Sequence, residues 1–95
     1  MVLVKVEFMG TLRGAVGKKS YEVIVDEPVT VGRLLKKLNT SLNLKKNVLF
    51  NRESLTPRSE ILILVDGKEI SILNGFATKL TNESQVTLIP VSHGG

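Results

Sequence analysis

The residues with the clearest chemical potential stand at the end of the sequence, where Pro90, Val91, Ser92 and His93 lead into Gly94 and Gly95. At average glycine usage, two glycines close a chain by chance about once in two hundred. Glycine lacks Cβ, so an arm ending in two of them can thread a narrow channel and take backbone angles other residues avoid. Five extended residues reach roughly 16 Å, enough to cross a partner's wall into a buried site. A terminal carboxylate on Gly95 has an ordinary pKa of about 3.5 and is ionised at neutral pH. It resists nucleophiles until one oxygen becomes a leaving group. Adenylation by ATP accomplishes that, and the acyl-adenylate is open to sulfide, a persulfide or an amine. Sulfur attack leaves a thiocarboxylate on Gly95, whereas amine attack leaves an isopeptide bond. Both reactions need a separate ATP-using enzyme, so this chain is expected to bind no cofactor itself.

Other candidate motifs fall short. Gly10, Gly14 and the Gly17–Lys18 pair invite comparison with a phosphate loop. That loop needs glycine five residues before the Gly-Lys pair and Ser or Thr just after it; here those positions hold Leu12 and Lys19. His93 is the only histidine and there is no cysteine. One imidazole without thiolates or a carboxylate cluster makes a poor metal site, and none is expected. His93 also lacks a fixed Ser or Asp partner for nucleophilic catalysis. The expectation is a carrier, not an enzyme.

The elements that must position the terminal segment come from a chain of 95 residues, 42% of them hydrophobic, the size of one domain. With four aromatics (Phe8, Tyr21, Phe50 and Phe76), the core must be filled by Val, Leu and Ile. No apolar run approaches the roughly 20 residues of a membrane span, and no charged-then-apolar leader opens the sequence. A cytoplasmic protein with no membrane partner is expected. The net charge of +4 is dispersed, with pairs at Lys18–Lys19, Lys36–Lys37 and Lys45–Lys46. Such a balance suits an acidic partner as well as a nucleic acid, and the absent aromatic stacking platform disfavours a small RNA-binding module.

Val2, Val4, Val6 and Phe8 alternate with Leu3, Lys5, Glu7 and Met9, the period of a half-buried strand. Residues 10–19 read as a long mobile loop joining it to a second strand over 21–25. Thr30 is a plausible helix N-cap. It precedes Val31, Leu34, Leu35 and Leu38 at one-face helical spacing. Lys36 and Lys37 fall near the C-terminal end, and Asn39 is a reasonable stop. Residues 44–50 suggest a short second helix. Ile61–Val65 reads as a buried strand, Asp66–Gly67 as a turn, Glu69–Leu73 as a short return strand and Val86–Ile89 as the last strand, closed by Pro90. One strong helix over a mixed sheet makes an α+β domain. The order suits a β-grasp over residues 1–90, with 91–95 as a flexible arm.

Several segments resemble the ubiquitin-like sulfur carriers: ILILVDGKEI over 61–70, LNG over 73–75, TKL over 78–80 and VTLIPVSHGG over 86–95. That group includes the small subunit of molybdopterin synthase, the thiamine sulfur carrier, the ubiquitin-related modifier of tRNA thiolation and archaeal small modifiers. The stretch from Val4 to Arg13 also looks like the molybdopterin subunit. That subunit usually carries two prolines before its tail, whereas this chain has Pro90–Val91. The His-Gly-Gly ending looks closer to the ubiquitin-related modifier. The resemblance implies a β-grasp fold and adenylation of Gly95 by an enzyme resembling the ubiquitin-activating one. It also implies a Gly95 thiocarboxylate. The large subunit of molybdopterin synthase is the first expectation for the sulfur acceptor; tRNA thiolation and conjugation to target-protein lysines are the alternatives. A β-grasp sets its first and last strands side by side, so Met9 and Ile89 are expected to share an apolar partner-binding patch near the arm.

Overall fold

The computed structural model describes residues 1–26, 29–45 and 47–91. Strand β1 (Val2–Phe8) forms where alternation demands it, burying Val2, Val4, Val6 and Phe8 and leaving Lys5 in solvent. Strand β2 (Ser20–Val25) runs antiparallel to β1, pairing Val2 with Val25 and Glu7 with Ser20. Strand β5 (Ser84–Pro90) lies on the other side of β1, parallel to it, with Phe8 level with Leu88. Strands β3 (Ile61–Val65) and β4 (Lys68–Glu69) complete a five-stranded sheet ordered β2-β1-β5-β3-β4. The parallel pair β1–β5 therefore lies inside the sheet, each strand flanked by a neighbour on both sides.

Among the described residues two α-helices form, α1 (Leu12–Val16) and α2 (Val31–Ser41). The Thr30 hydroxyl caps α2 by accepting from the Arg33 N–H at 3.3 Å. Val31, Leu34, Leu35 and Leu38 are buried, each contributing about 1.5–3 kcal/mol by leaving water. They join Phe8, Val86 and Leu88 in one core on the inner face of the sheet. The Asp66–Gly67 turn joins β3 to β4 with positive φ at both residues, +49° and +85°, as a two-residue hairpin requires. Among the described residues no helix is long and apolar enough to cross a membrane.

Four expectations need correction. Residues 10–19 are not one long loop. Gly10, at φ +54°, turns the chain into α1. Gly17, at φ +84°, closes that helix, donating its N–H to the Arg13 carbonyl at 2.8 Å. Leu12 and Val16 pack on the core, and five residues are too few for helical periodicity to show in sequence. Among the described residues of 44–50 no helix forms: Asn43 adopts φ +51°, and Val48 N–H donates to Lys45 O at 3.2 Å in a turn. Leu49 and Phe50 are nevertheless buried, and the segment is tied by Arg58 N–H to Leu49 O at 2.9 Å. The return strand stops at Glu69, whose carboxylate accepts from Ser71 N–H at 2.7 Å and caps a 3-10 turn over Ile70–Ile72. Finally, α2 runs past Asn39 to Ser41, leaving no basic residue in its last turn. Lys36 and Lys37 sit too early to face the carbonyl end of the helix.

Candidate functional site

The sheet has an inner face under α2 and an opposite, outer face. On the outer face the register builds cross-strand rows. Glu7, Thr87 and Leu64 lie level across β1, β5 and β3. Further toward the end of β5, Ile89 lies level with Leu62. Continuing the β1–β5 register past Phe8 and Leu88 sets Met9 beside Ile89, and Met9 N–H donates to Leu88 O at 3.0 Å. Met9, Ile89, Leu62 and Leu64 are all half-buried. The structure thus brings Met9 and Ile89 together and adds Leu62 and Leu64, which sequence reasoning missed. Their strand is apolar at every position, so alternation could not say which residues face outward. Pairing with β5 is the signal that does.

Pro90 ends β5 on the inner side, opposite Ile61. A Cβ added to Gly10 would come within 3.1 Å of Pro90 Cγ. Positive φ and close approach together make glycine the residue that lets α1 seat against the strand end. Val91 is 44% exposed, yet its N–H still donates to Glu60 O at 2.7 Å, so the sheet holds one residue of the segment expected to be the free arm. Ser92, His93, Gly94 and Gly95 lie outside the described residues.

Beside this exit lies an open groove of about 650 Å³ between α1, the turn at Asn47–Val48 and Pro90–Val91. Arg58 crosses its wall. The guanidinium donates to Glu60 Oε2 from Nε at 2.9 Å and Nη2 at 2.7 Å, and from Nη1 to Asn47 O at 2.8 Å. Arg58 thereby ties the irregular 42–58 segment to the residue whose carbonyl holds Val91. These hydrogen bonds from Arg58, helped by Ser59, hold the Glu60 carboxyl below the ordinary glutamate range. A lowered carboxyl pKa contributes stability that is present above the unfolded value and lost as pH falls through the folded one. Arg58→Ala is expected to return the Glu60 carboxyl toward the ordinary range in a carbon-detected NMR titration. An unchanged midpoint would show that the guanidinium does not hold it. Among the described residues no three His, Asp or Glu side chains gather as a metal site.

A family model described as ubiquitin related modifier matches residues 3–95. The chain belongs to the ubiquitin-related modifier family. Small archaeal modifier protein 3 of Haloferax volcanii is 31% identical over 91 residues, 96% of this chain and 97% of that one. The solution structure of small archaeal modifier protein 1 from Methanosarcina acetivorans aligns with TM-score 0.85 at 27% identity, over 100% of this chain and 98% of its own. The crystal structure of Sulfolobus solfataricus Urm1 aligns with TM-score 0.67 at 28% identity, over 92% and 99%. The fold is a ubiquitin-like β-grasp, and membership places the chain among ubiquitin-like modifiers and sulfur carriers. In this member of the ubiquitin-related modifier family the outer-face row, the open groove and the Val91 hydrogen bond all gather at the end of β5.

Proposed function

We propose that this chain is a sulfur carrier whose Gly95 carboxyl is activated and loaded by partner enzymes. The observation that carries this reading is the end of β5. The middle of the sheet runs out at Pro90, Val91 is hydrogen-bonded to Glu60, and the sequence continues for four residues ending in Gly94 and Gly95. The partner, resembling the ubiquitin-activating enzyme, binds ATP. A Gly95 carboxylate oxygen attacks the α-phosphorus and pyrophosphate leaves. Sulfide or a persulfide sulfur then attacks the acyl carbon and AMP leaves with the oxygen; where a persulfide attacks, reductive cleavage of its S–S bond by a thiol releases the thiocarboxylate. The outer-face patch of Met9, Leu62 and Ile89 gives the partner an apolar surface beside the exit, and this chain binds no cofactor of its own. The acceptor we put first is the large subunit of molybdopterin synthase.

Intact-mass analysis after incubation with ATP, the activating enzyme and a sulfur donor is expected to show one oxygen replaced by sulfur. No mass gain, while a control carrier is loaded by the same enzyme, would sink the proposal. A second reading draws on the same adenylate: attack by a lysine amine, conjugating Gly95 to another protein. The match to ubiquitin related modifier over residues 3–95 favours it. Gly-Gly remnants on lysines of other proteins after proteolysis would support conjugation, and their absence from cell extracts would count against it. Transfer to tRNA in place of pterin would show as thiolated nucleosides that disappear when the chain is removed.

A further inference from the structure

Strand β2 is the outermost strand on its side of the sheet and pairs only with β1. Phe8 N–H donates to Lys19 O at 2.8 Å, and the register, continued past Glu7 and Ser20, sets these two residues opposite one another. They form a hydrogen-bonded pair, and antiparallel ladders alternate such pairs with non-bonded ones. Tyr21, Val23 and Val25 therefore turn their backbone groups toward β1. Ser20, Glu22 and Ile24 turn theirs outward, where the described residues offer no partner. Natural sheets shield such edges with proline, bulges, lysine or a covering element. Here the edge is six residues long without proline, and Ile24 is 56% exposed.

Behind this edge runs a groove of about 570 Å³ between β2 and α2. Arg33, Lys36 and Lys37 line it from the helix, against one carboxylate, Asp26, from the strand side. Spacing of three and four residues sets the three cations on one helix face. None pairs with a carboxylate among the described residues. The two sides of the edge therefore ask for different chemistry. A strand added to β2 would send alternate side chains into the cationic groove and the others past Ile24 and its cross-strand neighbour Leu3.

We propose that the β2 edge takes up, as an added strand, an extended peptide in which acidic residues alternate with apolar ones. Backbone pairing to Glu22 and Ile24 would supply the ladder. Acidic side chains would meet Arg33, Lys36 and Lys37, and apolar ones would cover Ile24. This surface lies across β1 from β5, the strand after which the sequence runs on to Gly95, and it does not depend on the chemistry proposed for Gly95.

The test is an NMR titration of the full ¹⁵N-labelled chain with the capped peptide VEIEVEI, and with VIVIEEE, which has the same composition in blocks. Saturable shifts at the Glu22 and Ile24 amides are expected with the alternating peptide, and at least tenfold weaker binding with the blocked one. The doubly reversed variant Lys36→Glu, Lys37→Glu, at two exposed helix positions, is expected to weaken binding at least tenfold. Added salt is expected to weaken binding to the unaltered chain. Equal binding of the two peptides, shifts confined to another surface, or no effect of charge reversal and salt would overturn the proposal. So would an oligonucleotide producing the same shifts, which would make the groove a phosphate site. Ile24 shifts that track protein concentration without peptide, with dimers in sedimentation, would assign the edge to a second copy and overturn it too.

Discussion

Removal of Gly94 and Gly95 is expected to abolish sulfur loading completely while leaving the melting temperature of the domain unchanged. Truncation after His93 draws the carboxylate back by roughly 7 Å of extended chain. Displacing a reacting group by even about 1 Å can cost two orders of magnitude in rate. It also places an imidazole-bearing residue where a Cβ-free one is expected to thread the partner's channel. Stability should be indifferent because glycine brings no side chain to the core, which is built from residues such as Phe8, Leu34 and Leu88. The measurements are intact mass after loading and thermal unfolding by circular dichroism. A truncated chain that still gains sulfur would place the acylated carboxyl elsewhere and end the carrier proposal.

The second large effect is expected at Ile89. Replacing it with Asp puts a charge in the row formed with Met9 and Leu62, beside the strand end. If the activating enzyme packs on that row, the carboxylate must be desolvated without a partner. The rate of adenylation at sub-saturating carrier should then fall by about 30-fold or more, the cost of a hot-spot contact of about 2 kcal/mol. Ile89 is half-buried and in a central strand, so some stability is lost too, and loading must be compared below the variant's melting point. Ile24→Asp supplies the control: an apolar-to-acidic change on the same outer face but on the edge strand, expected to load normally. Equal loss in both variants would mean that general electrostatics, not this row, governs encounter with the enzyme. Normal loading of Ile89→Asp would remove the patch from the activation step.

The elements legible in the sequence are those whose burial pattern repeats within themselves. Val2 to Phe8 alternates because one face of β1 meets the core and the other does not. Val31, Leu34, Leu35 and Leu38 keep a helical period for the same reason, and Thr30 marks the start because its hydroxyl satisfies an N–H the helix cannot. Asp66–Gly67 is readable because few residue pairs tolerate positive φ in succession. Residues 42–58 defeat such reading. Leu49 and Phe50 are buried without periodicity, and the segment is held by side-chain contacts that no periodicity announces, Arg58 reaching back to Asn47 O and on to Glu60. Helix α1 escapes for a related reason: what holds it is tertiary, Leu12 on the core and Gly10 against Pro90.

At the site, the kind of chemistry is written in the residues alone. Gly94 and Gly95 bring no nucleophile, metal ligand or phosphate cradle, which is why the proposal rests on an acyl group activated by other proteins. Strand alternation likewise suffices to put Met9 and Ile89 out of phase with the core residues of their strands. What surrounds the departure point is settled by folding. The parallel pairing of β1 with β5 sets Met9 beside Ile89, and the antiparallel pairing of β5 with β3 selects Leu62 and Leu64 from an all-apolar run. The carbonyl of Glu60 takes Val91 from the arm into the body. The division has one cause. A carboxylate's reactivity is a property of its own atoms, whereas a surface is a property of neighbours that the chain brings together only when it folds.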